Sequence, residues 1–181
     1  LKQQGLYRRL RILEGRPESH TTFDHKSVVN LSSNNYLGIA NVLEHVIPVM
    51  IVRGRGHIAL TASVAGYRGL PQAAAYAPSK AAVISLAEAL KPDLARKGIT
   101  VSVINPGFVE TPMTAVNRFP MPFLMASDKA ADVIIAGLEK GRFDIVFPWQ
   151  MAALMKFARI LPYPAFFWFA RNFLMPKKPP Q

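Results

Sequence analysis

Gly56-His57-Ile58-Ala59-Leu60-Thr61-Ala62-Ser63 decides the reading of this chain. The run is rich in aliphatic residues and is bounded by Gly54-Arg55-Gly56 before it and Gly66 after it, the pattern of a short buried strand. Such a strand delivers its last residue, Ser63, to a loop at one end of a sheet. From Ala74 to Leu90 the chain turns to Ala, Leu, Ile and Glu, good helix formers, so Tyr76 and Lys80 fall near a helix start at i and i+4, on one face. Ile99 to Ile104 is a second aliphatic strand, closed by Asn105-Pro106-Gly107, and Phe143 to Phe147 reads as a third. Helices are expected at roughly 42–53, 74–91 and 127–139, the last with Ser127 as its cap. Strands alternating with helices at this spacing predict an α/β fold on a parallel sheet.

Ser63, then Tyr76 thirteen positions later, then Lys80 four beyond that, have the order of a proton relay. A phenol is normally protonated near neutral pH; a neighbouring ammonium favours the phenolate, bringing the group toward the range where it can both give and take a proton. The serine hydroxyl can hold a carbonyl oxygen in line with the phenol. Each part also has a plain reading, since Tyr-x-x-x-Lys is a common helix-surface pair and Ser63 could be an ordinary turn serine.

Together, and with Ser63-Val64-Ala65-Gly66 after the strand and Asn105-Pro106-Gly107 after the next, these residues resemble the short-chain dehydrogenase/reductase family over about 42–175, most specifically from Gly56 to Pro112. The resemblance implies the last three strands, with their helices, of a seven-stranded, doubly wound parallel sheet: a partial Rossmann-type fold. It implies that Tyr76 is the general acid/base, that Lys80 lowers its pKa and holds the nicotinamide ribose, and that Ser63 orients the substrate carbonyl. Pro106, Gly107, Val109 and Thr111 would line the nicotinamide of NADP or NAD, with Thr111 bonding its carboxamide. The segment from Met113 to Met125, including Met113, Phe119 and Phe123, would cover the substrate, and its thioethers and aromatics suit an apolar, lipid-like carbonyl compound.

The amino-terminal part departs from the family. A dinucleotide fold needs a glycine-rich turn between its first strand and helix, so that backbone amides can approach the pyrophosphate. Gly54-Arg55-Gly56 leads into a strand instead and reads as a turn. The ribose selector and the family's Asn-Asn-Ala-Gly segment are also missing, and Asn41 lies too close to Ser63 to take the place of the catalytic asparagine. Residues 1–40, with Gly5-Leu6-Tyr7-Arg8-Arg9-Leu10-Arg11 and Ser32-Ser33-Asn34-Asn35-Tyr36-Leu37-Gly38, resemble the start of the pyridoxal-phosphate α-oxoamine synthases. The domain division expected is therefore a leader, 1–40, joined near Ala40 to Val42 to a dehydrogenase part, 41–181. Without a Schiff-base lysine the leader is expected to do no chemistry; by itself it reads as a short strand over Val28 to Leu31 and an Asn-rich turn.

A length of 181 residues fits one domain with a real core. Zero cysteines exclude disulfides and thiolate metal sites, in keeping with a reducing cytoplasm. The histidines lack metal-ligand spacing, so no metal is expected, and the polar, basic start is unlike a secretory signal. A net charge of +11 comes without a run of five cations or a nucleic-acid motif, so no nucleic-acid partner is expected. In 151–175, Phe157, Phe166, Phe167, Trp168, Phe169 and Phe173 are interleaved with Lys156, Arg159 and Arg171. That mixture suits either a peripheral membrane contact or an apolar tail closing a pocket or a subunit interface. The function expected is NAD(P)-dependent interconversion of a ketone and a secondary alcohol, with a 3-keto sphingoid base as a substrate suggested by association with the leader. Two alternatives stand beside it: a catalytically incompetent fragment acting as a binding or assembly module through its open sheet edge and aromatic tail, and, remotely, a pyridoxal-phosphate acyltransferase.

Overall fold

The computed structural model describes residues 20–23, 26–29, 36–115 and 120–175. The chain divides into two compact units, 1–47 and 48–181. In the first, β1 (His20–Phe23) and β2 (Lys26–Val29) form an antiparallel hairpin with His20 opposite Val29 and Phe23 opposite Lys26. Helix α1 (Tyr36–Arg53) begins here and continues into the second unit. It starts six residues before the expected position 42 and runs without a break through 40–42, so Tyr36, Leu37 and Gly38 are helical and do not belong to a turn.

The second unit is built on three parallel strands in the order β3 (Gly56–Thr61), β4 (Ile99–Pro106), β5 (Asp144–Phe147). Ile58 pairs with Val101, Leu60 with Val103, and Val103 in turn with Asp144, which sets the two faces of the sheet. Gly54, at φ +64°, ends α1 and turns the chain into β3, so Gly54-Arg55-Gly56 is the helix-to-strand turn expected. Between β3 and β4 lies α2 (Tyr76–Ala95), with Val83 and Ala87 fully buried. Pro78 falls in its first turn, where an amide proton has no partner to lose. The helix outruns the expected end at 91: Pro92 is accommodated and the last turn is held by Leu94, which is buried.

After β4 come the short α3 (Pro112–Ala115) and α4 (Ser127–Glu139). Ile104, Ile145 and Phe147 on one sheet face pack with Ala130, Ile134 and Leu138 of α4. A side chain at Gly137 would strike Ile145, at 2.8 Å from its Cγ1, so glycine permits this helix to lie close on β5. Ser127 is not the cap: Ala126 holds that place, without a side-chain bond to the helix end, and Ser127 is the first helical residue. Helices α5 (Trp149–Ile160) and α6 (Tyr163–Phe169) and a π-helical turn, Ala170–Leu174, complete the described chain. The sheet is thus part of a Rossmann-type α/β fold, and β3 is an edge among the described residues. His57, Ala59 and Thr61 of that edge strand are exposed, while the adjoining Ser102 and Ile104 of β4 are buried.

Candidate active site

The ends of β3 and β4 lie side by side, and the loops that follow them meet above α2. Ser63 opens a single 3-10 turn, Val64–Gly66: its Oγ accepts from the amide of Ala65 at 3.2 Å and donates to the carbonyl of Pro106 at 3.3 Å. The serine therefore caps the turn and ties it to the Pro106 loop, and it is buried. Its turn role and its place at the strand end are compatible, because a hydroxyl has two acceptor lone pairs and one proton to redirect.

Lys80 is the hub. Only 2% exposed, it extends its Nζ to the carbonyl of Thr61, 3.4 Å away and two residues before Ser63, and lies 5.6 Å from the ring centre of Tyr76. Burial pushes its ammonium below the ordinary lysine value. Tyr76, one turn earlier, is 40% exposed, so the ring meets the cation on one side and solvent on another. The structure brings Tyr76 and Lys80 together on one helix face and sets both beside the strand end that carries Ser63.

Pro106, the last residue of β4, and Gly107 and Val109 beyond it form a half-buried stretch, and Thr111 follows. The Thr111 hydroxyl lies 3.3 Å from the amide of Thr114, at the start of α3, while Thr114 Oγ1 bonds back to the carbonyl of Val109 at 2.6 Å. Met113 belongs to α3, and Phe119 lies outside the described residues. Phe123 is exposed, with φ +60°, a left-handed conformation that costs a non-glycine residue about 1–2 kcal/mol. It shares with Leu124, Met125, Lys129 and Trp149 the wall of a cleft of about 750 Å³ at the end of β5.

Sequence reasoning missed a polar cluster on the other side of the Ser63 turn. Asp144 Oδ1 accepts from the Tyr67 hydroxyl at 2.8 Å and from Asn105 Nδ2 at 2.9 Å, and Oδ2 pairs with Lys156 Nζ at 2.7 Å. Burial raises the Asp144 carboxyl, but the hydrogen bonds from Lys156, Asn105 and Tyr67 outweigh it and hold the group below its ordinary value. Burial first, and then the bond to Asp144, push the Tyr67 phenol far up. Tyr67 thus keeps its proton and acts as a strut, whereas Tyr76 is open to solvent. Asn105, read in sequence as part of a turn, is a wholly buried strand residue. No signal in the sequence linked it to Asp144.

Residues 14–120 match the family described as short chain dehydrogenase, and the chain belongs to that family. The matched span begins at residue 14, inside the stretch expected from sequence to be a separate leader. An uncharacterized oxidoreductase of Myxococcus xanthus (strain DK1622) is 42% identical over 139 residues, covering 77% of this chain and 55% of its own length. A 3-oxoacyl-(acyl-carrier-protein) reductase of Thermotoga maritima is 36% identical over 120 residues, 66% of this chain and 44% of its own length. Among solved structures, a short chain dehydrogenase from Burkholderia cenocepacia J2315 in complex with NADP is similar with a TM-score of 0.63 at 26% identity, over 78% of this chain and 56% of that one. The chain spans about half the length of the curated relatives it matches.

The residues present fit the nicotinamide end of such a cofactor: a buried cation beside a phenol, next to a half-buried Pro106–Val109 stretch that leaves backbone accessible. They do not fit its pyrophosphate, since no glycine-rich turn opens a helix after a strand among the described residues.

Proposed function

We propose that this chain carries the catalytic half of an NAD(P)-dependent oxidoreductase that interconverts a ketone and a secondary alcohol. The observation that carries the reading is Lys80, buried between the carbonyl of Thr61 and the ring of Tyr76. A bound nicotinamide would supply or accept hydride. In the reduction direction Ser63 turns its hydroxyl proton toward the substrate oxygen and holds the carbonyl against Tyr76. As the carbonyl carbon gains hydride, the C=O π pair becomes the bond to the proton that the Tyr76 phenol gives up. Lys80 stabilises the negative charge left on the phenol oxygen, and the proton is recovered from solvent, to which Tyr76 is open. Pro106, Gly107, Val109 and Thr111 would flank the nicotinamide. NADP and NAD are both compatible with these residues.

The apolar part of the cleft wall, Phe123, Leu124, Met125 and Trp149, which stands beside the charged Glu110 and Lys129, and the relative named as a 3-oxoacyl-(acyl-carrier-protein) reductase support a lipid-like carbonyl substrate. Following NADH and NADPH fluorescence during titration, with and without long-chain 3-keto substrates, tests the reading. Expected are substrate-dependent oxidation of the cofactor and its loss in Tyr76→Phe; turnover surviving that change would overturn the assignment.

The exposed edge at β3 favours a second reading, in which the chain is catalytically incompetent and acts as a binding or assembly module through strand addition. Self-association in gel filtration without any cofactor oxidation would select it. For the leader, an origin in an α-oxoamine synthase is proposed on the Gly5-to-Arg11 and Ser32-to-Gly38 strings. Pyridoxal phosphate is then expected to leave the absorbance of cofactor and chain unchanged, because the lysine that would bind it is missing.

A further inference from the structure

Helix α5 is apolar on two opposite faces, which the sheet needs only once. Met151, Ala152, Met155 and Ala158 are buried against the second unit. Trp149, Ala153, Phe157 and Ile160, at i, i+4, i+8 and i+11, form the outward stripe, and Trp149, Phe157 and Ile160 are 74%, 58% and 76% exposed. Gln150, Lys156 and Arg159 separate the two faces, and an apolar helix face of this width is normally covered. The stripe continues into α6 and the following turn, where Tyr163, Phe167, Trp168 and Phe173 are exposed and stack on one another, Tyr163 on Phe167 at 5.7 Å and Trp168 edge-on to Phe173 at 5.9 Å.

Charge says what covers it. Asp144 is the last acidic residue of the sequence, and residues 145–181 contain five cations, Lys156, Arg159, Arg171, Lys177 and Lys178, with no anion. Among the described residues Lys156 lies against Asp144 and Arg159 against Glu88, whereas Arg171 is exposed in the turn after α6, so two copies pressed together here would bring like charges together. An anionic surface would instead gain from Arg171. The aromatic residues include Trp and Tyr, whose rings combine an apolar body with a polar tip and favour the headgroup level of a bilayer. No helix among the described residues is long and apolar enough to cross a membrane, so the contact lies in the plane of the interface.

We propose that α5, α6 and the turn after them form a monotopic docking face for an anionic lipid bilayer, with the aromatic stripe in the headgroup region and Arg171 on lipid phosphates. Arg68 fixes this face to the Ser63 loop: its guanidinium donates to the carbonyls of Arg159 and Leu161, both at 3.3 Å, and lies over the rings of Tyr163 at 4.6 Å and Phe166 at 4.5 Å. Trp149 belongs both to the stripe and to the wall of the cleft, which places the cleft at the border of the face.

The chain carries its own probe, because Trp149 and Trp168 are its only tryptophans and both are exposed on this face. The full chain is mixed with vesicles of phosphatidylcholine alone or of phosphatidylcholine with phosphatidylglycerol, and flotation and tryptophan emission are read together. Co-flotation and a blue shift are expected with the anionic vesicles, falling steeply as NaCl rises from about 0.05 M to about 0.5 M. Arg171→Glu should weaken binding about tenfold or more, and Arg171→Lys should retain it. The double variant Phe157→Ser and Ile160→Ser alters only exposed positions, so it should keep its circular dichroism and lose binding by more than about tenfold. Absence of flotation with unchanged emission would overturn the proposal. So would equal, salt-independent binding to both vesicles, or a blue shift that follows protein concentration without lipid together with elution as a dimer, which would make the face a subunit contact.

Discussion

Gly66 and Lys80 touch through their backbones: a β-carbon built on Gly66 would stand 2.8 Å from the carbonyl carbon of Lys80 and 2.7 Å from Cδ1 of Ile84. Glycine is needed there because the turn carrying Ser63 must lie flat on the helix that carries Tyr76 and Lys80, and Cα-to-backbone contact leaves no room for a methyl group. Gly66→Ala should push the turn off α2. A stability loss of about 1–3 kcal/mol is expected in urea unfolding, since two of the three struck atoms, the Lys80 carbonyl carbon and the Ala81 nitrogen, are backbone and cannot rotate away. Any turnover should fall by more than stability explains, because Ser63 moves with the turn; a variant as stable and as active as the parent would show that the contact is slack.

Tyr76 and Lys80 should separate fold from chemistry. Tyr76→Phe keeps the ring and removes the proton, so unfolding should be unchanged while ketone reduction drops by about 10²–10⁴-fold. For Lys80, burial lowers the ammonium below its ordinary 10.5, so between the two values the unfolded chain binds more protons than the folded one and stability rises with pH. Below that window the charged form is a cost to the fold. Lys80→Met, of similar length, removes it; its Tm at pH 7 should not fall, whereas activity and cofactor binding should fall together.

Asp144 predicts the acid limb. Its carboxyl is held below the ordinary value of 3.8, so the stabilisation is complete above about pH 4 and is lost as pH falls through the folded-state value. Asp144→Asn removes the partner of Lys156 and changes what Tyr67 and Asn105 can bond. A cost of about 1–3 kcal/mol at pH 7 is expected, with a flatter stability profile between pH 4 and pH 2. Urea unfolding across that range in both proteins checks the sign; parallel profiles would remove Asp144 from the acid response.

Phe123 holds a left-handed backbone that glycine adopts freely. Phe123→Gly should therefore relieve the strain but loosen the unfolded chain, leaving Tm within a few degrees, while KM for an apolar ketone rises through loss of the cleft wall. A lower Tm with unchanged KM would make the residue a packing element only.

Cofactor affinity should reflect that no glycine-rich turn opens a helix after a strand among the described residues. This chain is expected to bind NADH or NADPH far more weakly than a family member of full length, and a micromolar dissociation constant from fluorescence titration would contradict that.

The α/β class, three strands and the placing of Ser63, Tyr76 and Lys80 were legible in sequence because each depends on local rules: aliphatic runs bounded by glycine, helix formers in series, and the four-residue repeat of a helix face. Helix boundaries were less so. Ala126 in place of Ser127 at a helix start, and α2 continuing past Pro92 to bury Leu94, were decided by packing that overrode local preference. Tyr67 and Asp144 stand 77 residues apart, and Arg68 reaches Leu161 across 93. Such partners are chosen by which strand ends and loops the sheet brings together, a consequence of the whole chain's burial of apolar surface. The sequence alone placed Ser63 at a strand end and Tyr76 and Lys80 on one helix face; the tertiary structure decided that Lys80 is buried against the Thr61 carbonyl, that Tyr67 is a strut, and that the Ser63 turn rests on α2 through Gly66, because each of these is a contact between segments with no local signal for one another.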